Sequence, residues 1–426
     1  MDDDGRVRYE KVIRCEQLAT APFRFQYTVL REESSRLAHD ELAEAVRSQL
    51  LGAKLNERSL PSRFFYDDTG SALYERITRT EDYYLTRCER EIFRKHGDRI
   101  LDLAAGVAPG AFTELQSRSK PSAIHLIELG AGDGHKTALL LQRALERGLR
   151  VTYRPIDISE RAMVACAEHV MAMLGDPENG FRWAHGREQK TQFTFHGVVG
   201  DFMECLQYIL QGRKGHISPG LASGAPPATG NGVDTAIDAS IDEHARHLVM
   251  FIGSSIGNFD YNSAVGFCAG VRQLLRPGRD LFLIGFDLRK SHVVMQRAYS
   301  DREGITAEFN RNLLTRLNRE LGANFNPAKF EHFAQFNVRL GAMESFLVAT
   351  EPMRIVFQHL DKESDSSAVE CKPVLELRAW ESIHTEYSWK YTMEEITELM
   401  RKAGFADILA NFFDPRNWFV DSVFRP

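Results

Sequence analysis

The sequence predicts an α/β protein, a Rossmann-like parallel sheet carrying an inserted α+β domain. Three observations point there. Apolar runs that end in glycine or acidic residues alternate with helical segments between residues 123 and 287. The first of these runs enters a glycine-rich turn that opens a helix. The alternation stops after Asp287 and returns only near residue 392, so the stretch between reads as an insertion.

Ile124, Leu126, Ile127 and Leu129 form the continuous apolar run of a central parallel strand, closed by Glu128. Gly130, Gly132 and Gly134 follow at alternate positions, and a helix starts at Lys136. Glycine suits a chain that must reverse tightly and bring its backbone against a ligand. The spacing is G-x-G-x-G, whereas a dinucleotide fingerprint reads G-x-G-x-x-G. The observed form is commoner in proteins that bind S-adenosylmethionine (SAM), but alone it also fits another nucleotide site or a plain tight turn. The next run, Val151 to Ile158, contains Asp157 near its end, about 20 residues after the turn, where a carboxylate can accept both ribose hydroxyls. The alternative is a cap on the helix that begins at Ser159. A third run, Phe193 to Gly200, leads into Asp201 and Phe202. That acid and aromatic could take an adenine amino group and ring edge, or simply form a strand-end turn. Together the three strand ends predict a nucleoside pocket.

The chain has 426 residues, long enough for two domains, with 43% hydrophobic and 26% charged residues, as in globular proteins. A net charge of -6 without basic clusters argues against nucleic acid as a partner. Six cysteines lie scattered without metal-type spacing, so reduced thiols, a cytoplasmic location and no metal are expected. No apolar stretch approaches the roughly 20 residues of a membrane span, and the charged start Met1-Asp-Asp-Asp leads into no signal-like apolar region. A monomer acting on a small molecule is the expectation.

Residues 1–36 are mixed in character and receive no role. Residues 39–51 have apolar positions at helical spacing. From Leu60 to Arg87 the chain is dense in aromatics, and Tyr66, Tyr74, Tyr83 and Tyr84 suggest the lining of an amphipathic ligand site, although such aromatics more often simply pack. A helix spans 89–105. Residues 212–242 are rich in Gly, Ala, Ser and Pro and read as a flexible insert. The fourth strand runs from His247 into the polar loop Gly253-Ser-Ser-Ile-Gly-Asn258, at the sheet edge where ligands bind. A helix over 261–275 and a strand over 280–287 follow. Within the insertion, 301–321 reads as a helix and 332–360 and 367–391 as β segments, with a polar turn at 361–367. Strand alternation puts Glu386 and Ser388 on one face and Tyr387 and Trp389 on the other; spacing alone favours an ordinary solvent face. A helix over 392–404 and a hairpin from 406–413 to 418–424 end the chain, the way a class I methyltransferase sheet closes.

Taken together, Leu60-Pro-Ser-Arg-Phe-Phe-Tyr-Asp, Tyr83-Tyr-x-Thr-Arg-x-Glu89, Gly253-Ser-Ser-Ile-Gly-Asn258, Tyr299 with Gly304-Ile-Thr-Ala-x-Phe-Asn310, and Glu386-x-Ser-x-Lys390 give the chain, over about residues 57–426, a resemblance to a known family. It resembles the SAM-dependent L-histidine Nα-methyltransferases of ergothioneine biosynthesis, which form hercynine. The resemblance implies a class I methyltransferase domain (88–290 and 391–426) with a substrate-binding domain (37–87 and 291–390) clasped over it. It places SAM contacts at Gly130, Gly132, Lys136, Asp157, Asp201 and Phe202. Tyr83, Asn258 and Tyr299 would hold the amino-acid backbone, with Gly253 in the same loop as Asn258. Tyr66, Glu386 and Ser388 would surround the imidazole, and Tyr74 would form a wall.

As implied roles, Asn258 holds the α-amine and aims its lone pair, while Tyr83 and Tyr299 donate to the carboxylate. Glu386 accepts a ring N–H and Ser388 serves the other ring nitrogen. Neutral donors are expected beside the amine, because a nearby lysine would add positive charge next to a nitrogen that becomes cationic. The same enzyme would accept mono- and dimethylated histidine. Two other readings stay open: a related enzyme acting on another aromatic amino acid or an indole alkaloid precursor, and a catalytically silent SAM-binding module.

Overall fold

The computed structural model describes residues 9–17, 24–32, 37–108, 123–175, 193–211, 245–360 and 372–426. The insert expected at 212–242 and the polar turn at 361–367 lie outside them. In chain order the strands are β1 (Tyr9–Gln17), β2 (Arg24–Glu32), β3 (Ala123–Leu129), β4 (Arg150–Asp157), β5 (Phe193–Val199), β6 (Arg246–Phe251) and β7 (Leu281–Asp287). The insertion contributes β8 (Phe330–Asn337), β9 (Ala342–Ala349), β10 (Met353–Val356), β11 (Val374–Leu377) and β12 (Ser382–Trp389). Then come β13 (Asp407–Phe413) and β14 (Phe419–Arg425).

One sheet has the order β1-β2-β5-β4-β3-β6-β7-β14-β13. From β2 to β7 all neighbours are parallel; β14 turns antiparallel to β7, and β13 to β14. The order reverses at β3, whose chain successors β4 and β5 lie on one side and β6 and β7 on the other. Such a switch point opens a crevice at the carboxyl ends of the strands. Pleating divides the central strands between two apolar layers. Ile124, Leu126, Leu248 and Met250 pack with helices Leu85–Ala105 and Thr137–Glu146. Ile127, Leu129, Val249 and Phe251 pack with helices Phe202–Gln211, Tyr261–Leu274 and Met393–Lys402 on the opposite face. Burial on both faces is why these strands read as unbroken apolar runs.

Residues 9–17 and 24–32, given no role by the sequence, extend this sheet. β2 lies parallel to β5 and pairs with β1 as a hairpin. Phe25, Tyr27 and Val29 are buried, and Phe25 meets Phe195 edge-on at 5.8 Å.

The insertion forms a three-stranded antiparallel sheet, β12-β9-β8, and the pair β10-β11. Residues 58–60 run beside β12, through Leu60 N–H to His384 O (2.8 Å) and His384 N–H to Arg58 O (2.9 Å). The aromatic segment is thereby tied to the insertion. Where one helix was expected over 301–321, the helix is Ile305–Leu321, preceded by a separate helix His292–Tyr299. The Asp301 carboxylate forces the later start, accepting from the backbone N–H groups of Ile305 (3.0 Å) and Thr306 (2.7 Å). The helix expected over 39–51 is α-helical only at Leu37–Ala45 and widens to a π-turn at Val46–Leu51. Helix Met393–Lys402 starts at a reciprocal capping box between Thr392 and Glu395. Among the described residues no helix is long and apolar enough to cross a membrane.

Candidate functional site

The glycine turn lies at the switch point. Gly130, Gly132 and Gly134 have φ of 74°, 55° and 67°, a region costly for other residues. Gly132 N–H donates to Asp157 Oδ2 (3.0 Å), and Ser159 N–H donates to Asp157 Oδ1 (3.0 Å). The side-chain cap on the following helix comes instead from Ser159, whose Oγ accepts from Ala162 N–H (3.2 Å). Asp157 therefore braces the glycine loop. Burial pushes its carboxyl pKa up, backbone donors oppose this, and no cation pairs with it among the described residues. A carboxylate in that setting suits neutral donors such as ribose hydroxyls. A Cβ on Gly132 would meet nothing within 4 Å, leaving open space above the loop, whereas one on Gly130 would lie 3.3 Å from the Phe202 ring. Asp201 spends Oδ1 on the backbone N–H groups of Met203 (2.8 Å) and Glu204 (3.3 Å), so the turn reading holds for that oxygen. Together these residues make a cradle of backbone, carboxylates and one aromatic ring that fits an adenosine group.

Lys136 forms an ion pair with the fully buried Glu89, which also accepts from Gly253 N–H (2.7 Å). This joins the loop after β3 to the loop after β6 across the crevice. Gly253 has φ 77°, which favours glycine, and a Cβ there would crowd Lys136 Nζ at 3.1 Å. Its neighbour Ser254 adopts left-handed backbone (φ 59°) although it is not glycine. Ser254 Oγ accepts from Asp287 N–H (3.1 Å), which offsets the strain. Sequence reasoning gave Glu89 and Ser254 no individual role; their only signal was membership of the quoted motifs.

The tyrosines converge. Tyr74 and Tyr83 hydroxyls lie 3.2 Å apart, and the Tyr66 ring meets Tyr74 edge-on at 5.7 Å. Phe309 backs both Tyr66 (5.8 Å) and Tyr74 (6.1 Å). Burial raises the pKa of all three tyrosines, and Glu386 adds to the effect on Tyr66 and Tyr74. They are neutral donors at physiological pH. Across from them, Ser345 Oγ donates to Glu386 Oε2 (3.2 Å). Burial pushes the Glu386 carboxyl up to about 7, against the opposing positive charge of Lys390. Tyr299 Oη lies 2.6 Å from Ser388 Oγ. The solvent-face alternative for Glu386 and Ser388 fails, because a bulge between His384 and Glu386 turns this end of β12 inward and Ser388 is buried. Asn258 ends the 3-10 turn Ser255–Asn258 with its side chain exposed. That turn is pressed onto β12, since a Cβ on Gly257 would lie 2.9 Å from Trp389 O.

The hydroxyls are neutral donors, as expected, but a cation stands behind two of them. Lys390 is 1% exposed and donates to Tyr299 Oη (2.7 Å) and Ser388 Oγ (2.9 Å), and it pairs with Asp287 Oδ2 (2.9 Å). Asp287 also accepts from Tyr84 Oη (2.8 Å) and pairs with Lys290. Burial disfavours the charge on Lys390, but Asp287 and Tyr299 outweigh it and the net shift is upward. The lysine is tolerated because its charge is answered by an aspartate at the end of β7. Lys390 stood in the quoted Glu386-x-Ser-x-Lys390 motif, yet nothing in spacing alone pairs it with Asp287.

With this geometry in view, the chain was compared with known proteins. Residues 42–426 match the profile of a family described as histidine-specific, SAM-dependent methyltransferases. The chain is 31% identical to a histidine N-alpha-methyltransferase of Mycolicibacterium smegmatis, over 86% of this chain and 91% of the relative. It is 24% identical to ergothioneine biosynthesis protein 1 of Schizosaccharomyces pombe, over 82% of this chain and 37% of that longer protein. It is also 22% identical to a 4-dimethylallyltryptophan N-methyltransferase of Claviceps purpurea, over 74% of this chain and 78% of the relative.

Proposed function

The chain belongs to the family of SAM-dependent, histidine-specific methyltransferases, and from that premise we propose that it methylates the α-amine of L-histidine three times in succession, giving hercynine for ergothioneine biosynthesis. Glu386 carries this reading. It is a half-buried carboxylate held by one serine hydroxyl, and it faces the tyrosine cluster with the buried Ser388 beside it. An imidazole offers an N–H to the carboxylate and a second nitrogen to the serine. An indole has a single N–H and would leave one of these groups unmatched, a costly outcome in a buried site.

SAM supplies an electrophilic methyl group when bound. Gly130 and Gly132 bring bare backbone to it, Asp157 takes the ribose, Asp201 and Phe202 take the adenine, and Lys136 stands beside the crevice. On the amino-acid side, Tyr83 and Tyr299 face the carboxylate. The Asn258 amide oxygen holds the amine so that its lone pair points at the methyl carbon. Displacement at carbon is in line, so alignment and exclusion of water supply much of the acceleration.

A mass-spectrometric turnover assay with SAM and each common amino acid, offered singly, tests the reading. Histidine alone should gain methyl groups, all on the α-nitrogen and up to three. Methylation of tryptophan or tyrosine instead would overturn the roles of Glu386 and Ser388, and SAM binding without any product would overturn the activity.

A further inference from the structure

Lys390 is a residue that the methyl-transfer scheme does not use. An ammonium has three N–H donors and no acceptor. Here all three have partners inside the protein, namely Tyr299 Oη at 2.7 Å, Ser388 Oγ at 2.9 Å and Asp287 Oδ2 at 2.9 Å. The group is saturated and cannot itself grip a substrate. Tyr299 Oη and Ser388 Oγ both accept from Lys390 and lie 2.6 Å apart, so one of the two hydroxyl protons is spent between them. The pair then offers the ligand one outgoing O–H, and the other oxygen offers only a lone pair. Lys390 follows directly on β12, the strand that carries Glu386, and its positive charge favours the ionised carboxylate.

We propose that Lys390 is a positioning residue for the amino-acid substrate. It fixes the Tyr299–Ser388 pair as a unit with one outgoing donor, and its charge acts on Glu386, the carboxylate that accepts the ring N–H. This rests on the histidine reading above. Asp287 pairs with its charge and is shared with Lys290.

The other titratable groups facing Glu386 are Tyr66 and Tyr74 from the aromatic segment and Tyr299 from helix His292–Tyr299. All three are held neutral by burial. His384, two residues away, is also kept neutral because burial lowers its pKa. Lys390 is therefore the cation whose removal should move the Glu386 titration.

The test is histidine binding by calorimetry for the wild type, Lys390→Met and Ser388→Ala, from about pH 6 to about pH 9. Methionine keeps the length of the lysine stem, and Asp287 keeps Lys290 and Tyr84 as partners, so no carboxylate is stranded. An unchanged SAM affinity serves as the check of folding. In Lys390→Met, histidine affinity at about pH 6 should fall about tenfold for each unit by which the Glu386 midpoint rises, and the gap to wild type should narrow towards about pH 9. Ser388→Ala should weaken binding by a factor that does not change with pH. A Lys390→Met deficit constant across pH, or no deficit, would overturn the proposal while leaving histidine as the substrate. If the wild type binds no histidine at all, the functional reading itself fails.

Discussion

Glu386 and Asp157 are half-buried carboxylates whose neighbours assign them different partners. Glu386 has one serine donor and sits opposite tyrosines, so its remaining capacity is directed at a ligand N–H. Glu386→Gln keeps the shape and removes the charge. Histidine affinity should fall by about 1.5–3 kcal/mol, the value of a hydrogen bond to a charged group, with SAM affinity unchanged. Calorimetry that finds histidine binding intact would take Glu386 out of the site. Asp157 holds Gly132 N–H and Ser159 N–H in addition to the role proposed for it at the ribose. Asp157→Ala should therefore weaken SAM binding by at least about 2 kcal/mol, through lost ligand contacts and a glycine loop left unbraced. Equilibrium dialysis with labelled SAM would reveal this, and near-normal affinity would return Asp157 to a purely structural part.

At the scale of elements, the hairpin β1-β2 precedes residues 42–426, which match the family profile, yet β2 occupies the edge that β5 would otherwise expose. Phe25, Tyr27 and Val29 leave water on this contact. A chain starting at residue 37 should melt several degrees lower, because burial of each such side chain is worth about 1.5–3 kcal/mol. It should also associate, since an uncovered β5 presents unpaired backbone groups. Thermal melts read together with sedimentation velocity would show both effects. An unaltered melting temperature and a monodisperse shorter chain would mean that the hairpin contributes nothing to the sheet. The loop after β6 works differently. It is pinned at Gly253 by Glu89, at Ser254 by Asp287 N–H and at Ile256 O by Tyr391 Oη (3.3 Å), so Asn258 stands on a rigid support.

At the scale of the molecule, buried acids set the response to pH. Glu128 and Glu386 have pKa values pushed up to about 7 by burial. Asp421 is raised further, by burial first and by Glu89 second. Among the described residues no donor group reaches either oxygen of Asp421, and a Cβ on Gly285 would lie 3.0 Å from Asp421 Oδ1 and 2.5 Å from Glu89 Oε1, so the two carboxyls share one small space. A carboxyl whose pKa is raised on folding binds more protons in the native state. Its contribution is full below the unfolded pKa, near 4, and is lost as pH rises through the folded value. Native stability should thus decline from about pH 5 upward on account of these groups. Asp421→Asn mimics the protonated acid, so its stability relative to wild type should increase with pH across that range. Urea unfolding at several pH values measures this; parallel curves for the two proteins would show that Asp421 is ionised in the folded state.

The sequence by itself determined the alternation of strands and helices from β3 through β7 and the position of the glycine turn. Strands buried on both faces are written as local apolar runs, and positive φ at Gly130, Gly132 and Gly134 leaves its mark in residue type. It also carried the tyrosines, Glu386 and Ser388 as motifs, and the end of helix Met393–Lys402, whose capping box is a local signal. The tertiary structure decided what those motifs could not. Asp287 and Lys390 are more than 100 residues apart in sequence, and only folding makes them an ion pair that turns a lysine from a threat to the amine into a support for Tyr299 and Ser388. Glu89 meets Asp421 across a still longer separation, and β1 and β2 gain a role only through the edge of β5 that β2 covers. Spacing encodes faces and turns, whereas the cost of a buried charge depends on which other chain segments surround it.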